Sequence, residues 1–294
     1  MPSVTIVSTV RSVVGLPLAQ QPVFSTLLPS LAATITGGEK SRMRASITLI
    51  LCARDDDAMY LEQAANVRRM VSSRVNFMTF KLLFYPSLDV SLNGAMLLAY
   101  ADGADFLHRT FEDVRYARTG WLGDAVRALD RRDAAVVRPA AARVSSKTGA
   151  DKSSGSRPTL ISRTHLDVFE NYHPPQLHAV GASVDAWLLA AYGTAANVPT
   201  RSTAAAGAAE TRRQQTLAAL VTCARHVLAE YGGANRTEAN DGGASPPLAR
   251  ASCIVGGGGA TRARPLATTV AGGAANECDR EWCVVRRGRR TRID

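Results

Sequence analysis

Ala104-Asp105-Phe106-Leu107-His108-Arg109-Thr110-Phe111-Glu112-Asp113-Val114 is the stretch on which the fold of this chain turns. An apolar run leads straight into an acidic pair. Upstream, residues 93–103 carry a helix-like pattern that closes on Gly103. Downstream come a Gly120-Trp121 turn and a second helical segment over residues 122–132. A buried strand that ends in two carboxylates can hold a divalent cation at the edge of a parallel sheet. The strand fixes the backbone and the carboxylates supply hard oxygen ligands. The simpler alternative is an ordinary strand followed by a solvated acidic turn.

The pattern repeats on either side. Residues 46–53 form a near-continuous apolar run, as a strand buried on both faces does, and stop at Arg54-Asp55-Asp56-Asp57. Aspartates there suit the cap of a following helix. Met59, Leu61, Ala64, Ala65, Val67 and Met70 then fall at amphipathic spacing over residues 58–73. Residues 77–85 are a second apolar run, broken by Pro86, and residues 134–137 a short last strand. Strand, helix, strand, helix, strand, helix, strand predicts a parallel sheet flanked by helices, with right-handed crossovers. Ligands bind outside the carboxyl ends of such strands. Two acidic clusters fall there, Asp55-Asp56-Asp57 and Glu112-Asp113.

Residues 140–158 lose all hydrophobic period and read as a loop or insertion. Residues 184–192 are short, apolar and helix-compatible. Leu217, Leu220, Val221, Ala224, Val227, Leu228 and Tyr231 make a helical packing stripe ended by Gly232-Gly233. Beyond it glycine, alanine and arginine prevail. Residues 233–294 are expected to be a disordered, low-complexity basic tail. Gly256–Gly259 lacks the Lys-Ser/Thr and helix of a phosphate loop.

The chain of 294 residues has a formal net charge of +10. Five arginines, from Arg286 to Arg292, crowd its last nine residues. A solvated end accounts for them; binding to an anionic surface or nucleic acid is the sharper alternative. No aromatic side chains interleave with the arginines to stack on bases, so no specific nucleic-acid partner is expected. Five scattered cysteines do not read as a disulfide framework. Residues 1–43 are expected to be a leader, either a targeting segment, a weak anchor or an unstructured end. The uncharged residues 12–38 are long enough to span a bilayer, but their prolines and Gln20-Gln21 argue against a membrane span.

The string from Asn93 to Phe106, followed by Phe111-Glu112-Asp113-Val114 and Gly120-Trp121, resembles glycosyltransferases of the GT-A fold, most closely the glycosyltransferase-like proteins of protists. Arg163-Thr164-His165-Leu166-Asp167-Val168-Phe169, Tyr172-His173-Pro174-Pro175 and Val184-Asp185-Ala186-Trp187 are similar to further blocks of that family. The likeness covers residues 45–195. It implies a GT-A-like domain over residues 44–232, a nucleotide-sugar donor, an unknown acceptor and a divalent metal, Mn or Mg, held by Asp113 with Glu112. It implies contacts to the donor from Arg54, Asp55, Glu112 and His165, and a catalytic base at Asp185.

Two departures stand against full activity. The acidic pair is Glu-Asp where the family more often has two aspartates, and the block around Asp185 lacks a second acid. Two classes of function follow. One is metal-dependent sugar transfer centred on Asp113. The other is a degenerate, non-catalytic member that keeps the fold as a binding module.

Overall fold

In a computed structural model, the described residues are 2–35, 47–130, 136–139, 141–143, 157–169, 171–174, 184–193 and 215–229, with isolated residues and short strands besides. They fall into two compact units. The first holds residues 1–131, 137–163 and 273–294; the second holds 132–136 and 164–272.

The first unit has the expected α/β architecture, a mostly parallel sheet flanked by helices. Its strands are β1 (Val4–Thr9), β2 (Ile47–Arg54), β3 (Thr79–Tyr85) and β4 (Phe106–Phe111), all parallel, and β8 (Thr159–Ser162), antiparallel to β4. The order is β3-β2-β1-β4-β8, continued by the two-residue β6 (Val136–Val137). Two shorter strands, β5 (Val114–Tyr116) and β7 (Ala141–Arg143), pair antiparallel beside it.

The helices are α1 (Leu28–Thr34), α2 (Ala58–Glu62), α3 (Ala64–Arg74), α4 (Leu88–Ala101) and α5 (Trp121–Asp130). The expected helix over residues 58–73 is interrupted at Gln63, the cap shared by α2 and α3. β1 connects to β2 and β2 to β3 on one side of β1, whereas β4 lies on its other side. The strand order therefore reverses between β1 and β4. In sheets of this kind that switch point is where a crevice opens for ligands.

Part of the stretch expected as a leader lies in the sheet. Val4–Thr9 is an inner strand, paired in register with β2 and β4. Val4, Ile6 and Val7 are at most 1% exposed. Val-Thr-Ile-Val-Ser-Thr is a β-branched run, which suits a pleat covered on both faces. The residues read as a weak anchor are also in the fold: a turn of π-helix at Val23–Leu27 runs into α1, and Val23, Phe24, Leu27, Leu28 and Leu31 are all buried. Among the described residues no helix is long and apolar enough to cross a membrane.

At the other end, Cys283–Arg286 lies parallel to β3 and pairs with Arg289–Thr291. Most of the stretch expected as a tail, and most of the loop at 140–158, lies outside the described residues.

The second unit contains α6 (Thr164–Val168), α7 (Val184–Tyr192) and a helix over residues 215–229. Leu220, Val221, Ala224 and Val227 of the predicted stripe are buried. Arg225 Nε donates to the Ala190 carbonyl at 2.8 Å. Cys223 is disulfide-bonded, which spacing alone did not foretell, whereas Cys52 inside β2 is free and buried.

Candidate functional site

The carboxyl ends of β1, β2 and β4 come together through backbone amides. After β1 the chain stays against β2 for one more residue, with Val10 N–H donating to the Cys52 carbonyl at 2.8 Å. The next two amides then turn to carboxylates. Arg11 N–H donates to Glu112 Oε2 at 3.0 Å, and Ser12 N–H donates to Asp57 Oδ2 at 2.8 Å. Glu112 follows β4 and Asp57 follows β2, so this single loop ties three strand ends together.

Asp57 is buried and caps α2, its Oδ1 accepting from Tyr60 N–H at 3.4 Å. Tyr60 is fully buried, and its hydroxyl has no hydrogen-bond partner among the described residues. Burial first, then the Glu112 and Asp57 charges, push that phenol well above the usual tyrosine range. It stays protonated and can only serve as a hydroxyl.

Glu112 and Asp113 form the two-residue turn between β4 and β5, and both are half-buried. Among the described residues no group of three or more His, Cys, Asp or Glu is arranged to hold a metal ion. Two carboxylates on one turn do suit a cation of the Mg type, which is usually bound through one or two carboxylates with substrate phosphates completing the shell.

Arg54 and Asp55 close β2, as expected. Arg54, however, is engaged with its neighbour: its Nε donates to Asp56 Oδ1 at 2.8 Å, and a second guanidinium nitrogen meets Asp56 Oδ2. That pairing holds the Asp56 carboxyl below its ordinary range. Asp55 donates its N–H to the Tyr85 carbonyl at 2.9 Å and is half-buried. The cluster was thus legible as a strand end. Asp57, the member that reaches the β1 loop, was read as a helix cap and as part of the acidic cluster at that strand end, not as a partner of the loop after β1. Arg11, Ser12 and Gln21 were read only as part of the leader, and Tyr60 only as a position in the helix after β2.

His165 and Asp185 belong to the second unit. His165 has no exposed surface. The Tyr172 carbonyl, 3.0 Å from Nε2, can only accept, so Nε2 carries the proton and Nδ1 accepts from the Tyr192 hydroxyl at 2.5 Å. Burial lowers its pKa to about 4 and keeps the ring neutral. Phe169, Tyr172, Trp187 and Tyr192 surround it. Both ring nitrogens are used, as in a histidine that holds packing together. Asp185 is in the first turn of α7 and only 3% exposed.

No family model matches the chain, and no curated protein does. Solved structures give low-level likenesses. A cytidylyltransferase from Leptospira borgpetersenii serovar Hardjo-bovis is 9% identical with a TM-score of 0.34, over 56% of this chain and 61% of its own. A 4-diphosphocytidyl-2C-methyl-D-erythritol synthase from Anaerococcus prevotii is 8% identical with a TM-score of 0.33, over 67% and 81%. A protein from Desulfovibrio desulfuricans G20 assigned as a nucleotide-diphospho-sugar transferase is 13% identical with a TM-score of 0.33, over 74% and 97%. The chain thus spans less than two thirds of the first of these. Likeness at this level carries no argument about substrate or chemistry.

Proposed function

We propose that the carboxyl edge of this sheet binds a nucleotide sugar and that the protein transfers the sugar to an acceptor. The observation that supports this is the pair of carboxylates, Glu112 and Asp57, gathered by consecutive amides of one loop at the switch point between β1 and β4. The finer likeness, to the protist glycosyltransferase-like proteins, rests on the sequence motifs alone.

In this reading Asp113, with Glu112, holds a divalent cation, Mn or Mg. Such a cation supplies charge neutralisation at a departing diphosphate. Glu112 keeps its orientation through the Arg11 amide. Asp57 holds the opposite side of the same loop. Arg54 and Asp55, at the end of β2, are assigned to the nucleoside. The resemblance alone gives Asp185, in the second unit, the role of accepting the proton of an acceptor hydroxyl, which typically contributes a factor of about 10²–10⁴. His165 is left to the packing of its own unit.

The test is release of nucleoside diphosphate from a panel of nucleotide sugars, with and without acceptor sugars. The reading expects donor-dependent release that falls at least tenfold in Asp113→Asn. Acceptor-dependent turnover that survives Asp185→Asn would remove the assigned base. Release from no donor, with no donor bound, would leave the fold without this function.

A further inference from the structure

The loop after β1 is built around one buried side chain. Gln21 has no exposed surface, yet its amide is fully engaged with a single turn. Its Oε1 accepts from Val13 N–H at 2.7 Å, and its Nε2 donates to the Leu16 carbonyl at 2.7 Å and the Val13 carbonyl at 3.2 Å. Between those residues Gly15 sits at φ +83°, a conformation that side chains other than glycine's rarely adopt. Gln21 is in turn anchored in the chain, its own carbonyl accepting from Phe24 and Ser25 N–H at the start of the π-helical turn. Immediately before the clamped turn lie the two amides that grip Glu112 and Asp57.

We infer that Gln21 is a positioning residue for the candidate site. By clamping residues 13–16 it holds the Arg11 and Ser12 amides in place, and they orient the carboxylates of Glu112 and Asp57. This deepens the proposed function and rests on it. The Arg11 amide is then the outer-shell partner of a metal-ligating carboxylate. Loss of such partners typically weakens metal binding by 10–100-fold. A side chain that merely filled space would affect stability and leave the affinity of the folded protein unchanged.

Two substitutions disturb the loop by different routes. Gln21→Met keeps the volume and removes all three hydrogen bonds. Gly15→Ala meets no atom within 4 Å and acts only through its strained backbone. Gly103→Ala, at φ +86° and equally unobstructed, imposes the same kind of strain after α4, away from the loop, and is the control.

Mn binding in the presence of uridine diphosphate is read by titration calorimetry on the full chain. Amide hydrogen exchange over residues 10–17 is read alongside. Expected are an affinity about tenfold weaker and faster exchange of the Arg11 and Ser12 amides in both loop variants, with Gly103→Ala binding like wild type. Wild-type affinity in both loop variants would overturn the role of Gln21 while leaving the site standing. A wild type that binds neither Mn nor nucleotide would overturn the site, and this inference with it. Should Gln21→Met fail to fold, Gly15→Ala decides.

Discussion

Arg11 N–H and Glu112 Oε2 lie 3.0 Å apart, although 101 positions separate them in the sequence. The contact exists because β1 and β4 are parallel neighbours, with Thr9 level with Phe111. Residues that leave two adjacent parallel strands at the same end are bound to meet. Here one brings a backbone donor and the other a carboxylate at the point where the strand order reverses. The candidate site therefore depends on a strand at the very beginning of the chain.

Removal of that strand tests the fold most bluntly. Val4, Ile6 and Val7 are completely or almost completely buried. Their burial alone contributes roughly 5–9 kcal/mol by area. That is comparable to the whole stability of a typical domain, about 5–15 kcal/mol. Deleting residues 1–9 also leaves the facing edges of β2 and β4 unpaired. The truncated chain is expected to lose its cooperative unfolding transition, read by circular dichroism during urea denaturation. An intact transition at nearly the wild-type midpoint would show that residues 1–9 are the dispensable leader the composition first suggested.

Two buried histidines give a pH dependence with a defined sign. His108 has no exposed surface, and the Thr159 carbonyl 3.0 Å from Nδ1 fixes the proton there. Nε2 then accepts from the Tyr116 hydroxyl at 2.6 Å. Burial lowers the His108 pKa from 6.5 to about 3, and the bond to Thr159 offsets this only in part. The unfolded chain thus takes up a proton near pH 6.5 that the folded chain refuses until far lower. The contribution is fully present above pH 6.5 and declines as pH falls towards the folded value. His165 does the same in the second unit, down to about 4. Each is expected to lower unfolding free energy by up to about 1.4 kcal/mol per pH unit below 6.5. Urea unfolding at pH 7.0, 6.0 and 5.5 measures it, above the range where most carboxylates titrate. A flat profile would mean that these rings take up protons as readily in the folded protein as in the unfolded chain.

Much of the sheet was legible in the sequence, for a physical reason. β2 is buried on both faces and reads as a near-continuous apolar run, β3 is buried from Leu82 to Tyr85, and β4 opens on the apolar Phe106-Leu107. α4 was expected to start at Asn93 and begins at Leu88. β1 was missed although its residues are as β-branched as those of β2. The long uncharged stretch and three prolines behind it suggested a leader, and nothing local says that Val4 will pair with Ile47 and Phe106, 43 and 102 positions away.

The site followed the same division. The positions of Arg54, Asp55, Glu112 and Asp113 at strand ends were legible because the end of an apolar run is a local feature. Gln21 and Ser12 were not, since their meaning lies in a loop geometry set by Gly15 and in the long-range partner of each amide.

The central claim is that the Glu112-Asp113 turn holds a cation together with a diphosphate. Titration of Mn into the protein with and without uridine diphosphate, for wild type, Glu112→Gln and Asp113→Asn, tests it most directly. The account predicts weak Mn binding by the free wild type and markedly tighter binding with the nucleotide present, because phosphate oxygens complete the shell. Both variants should lose at least tenfold of that coupled affinity. Equal Mn and nucleotide binding by all three proteins, or none by the wild type, would contradict it.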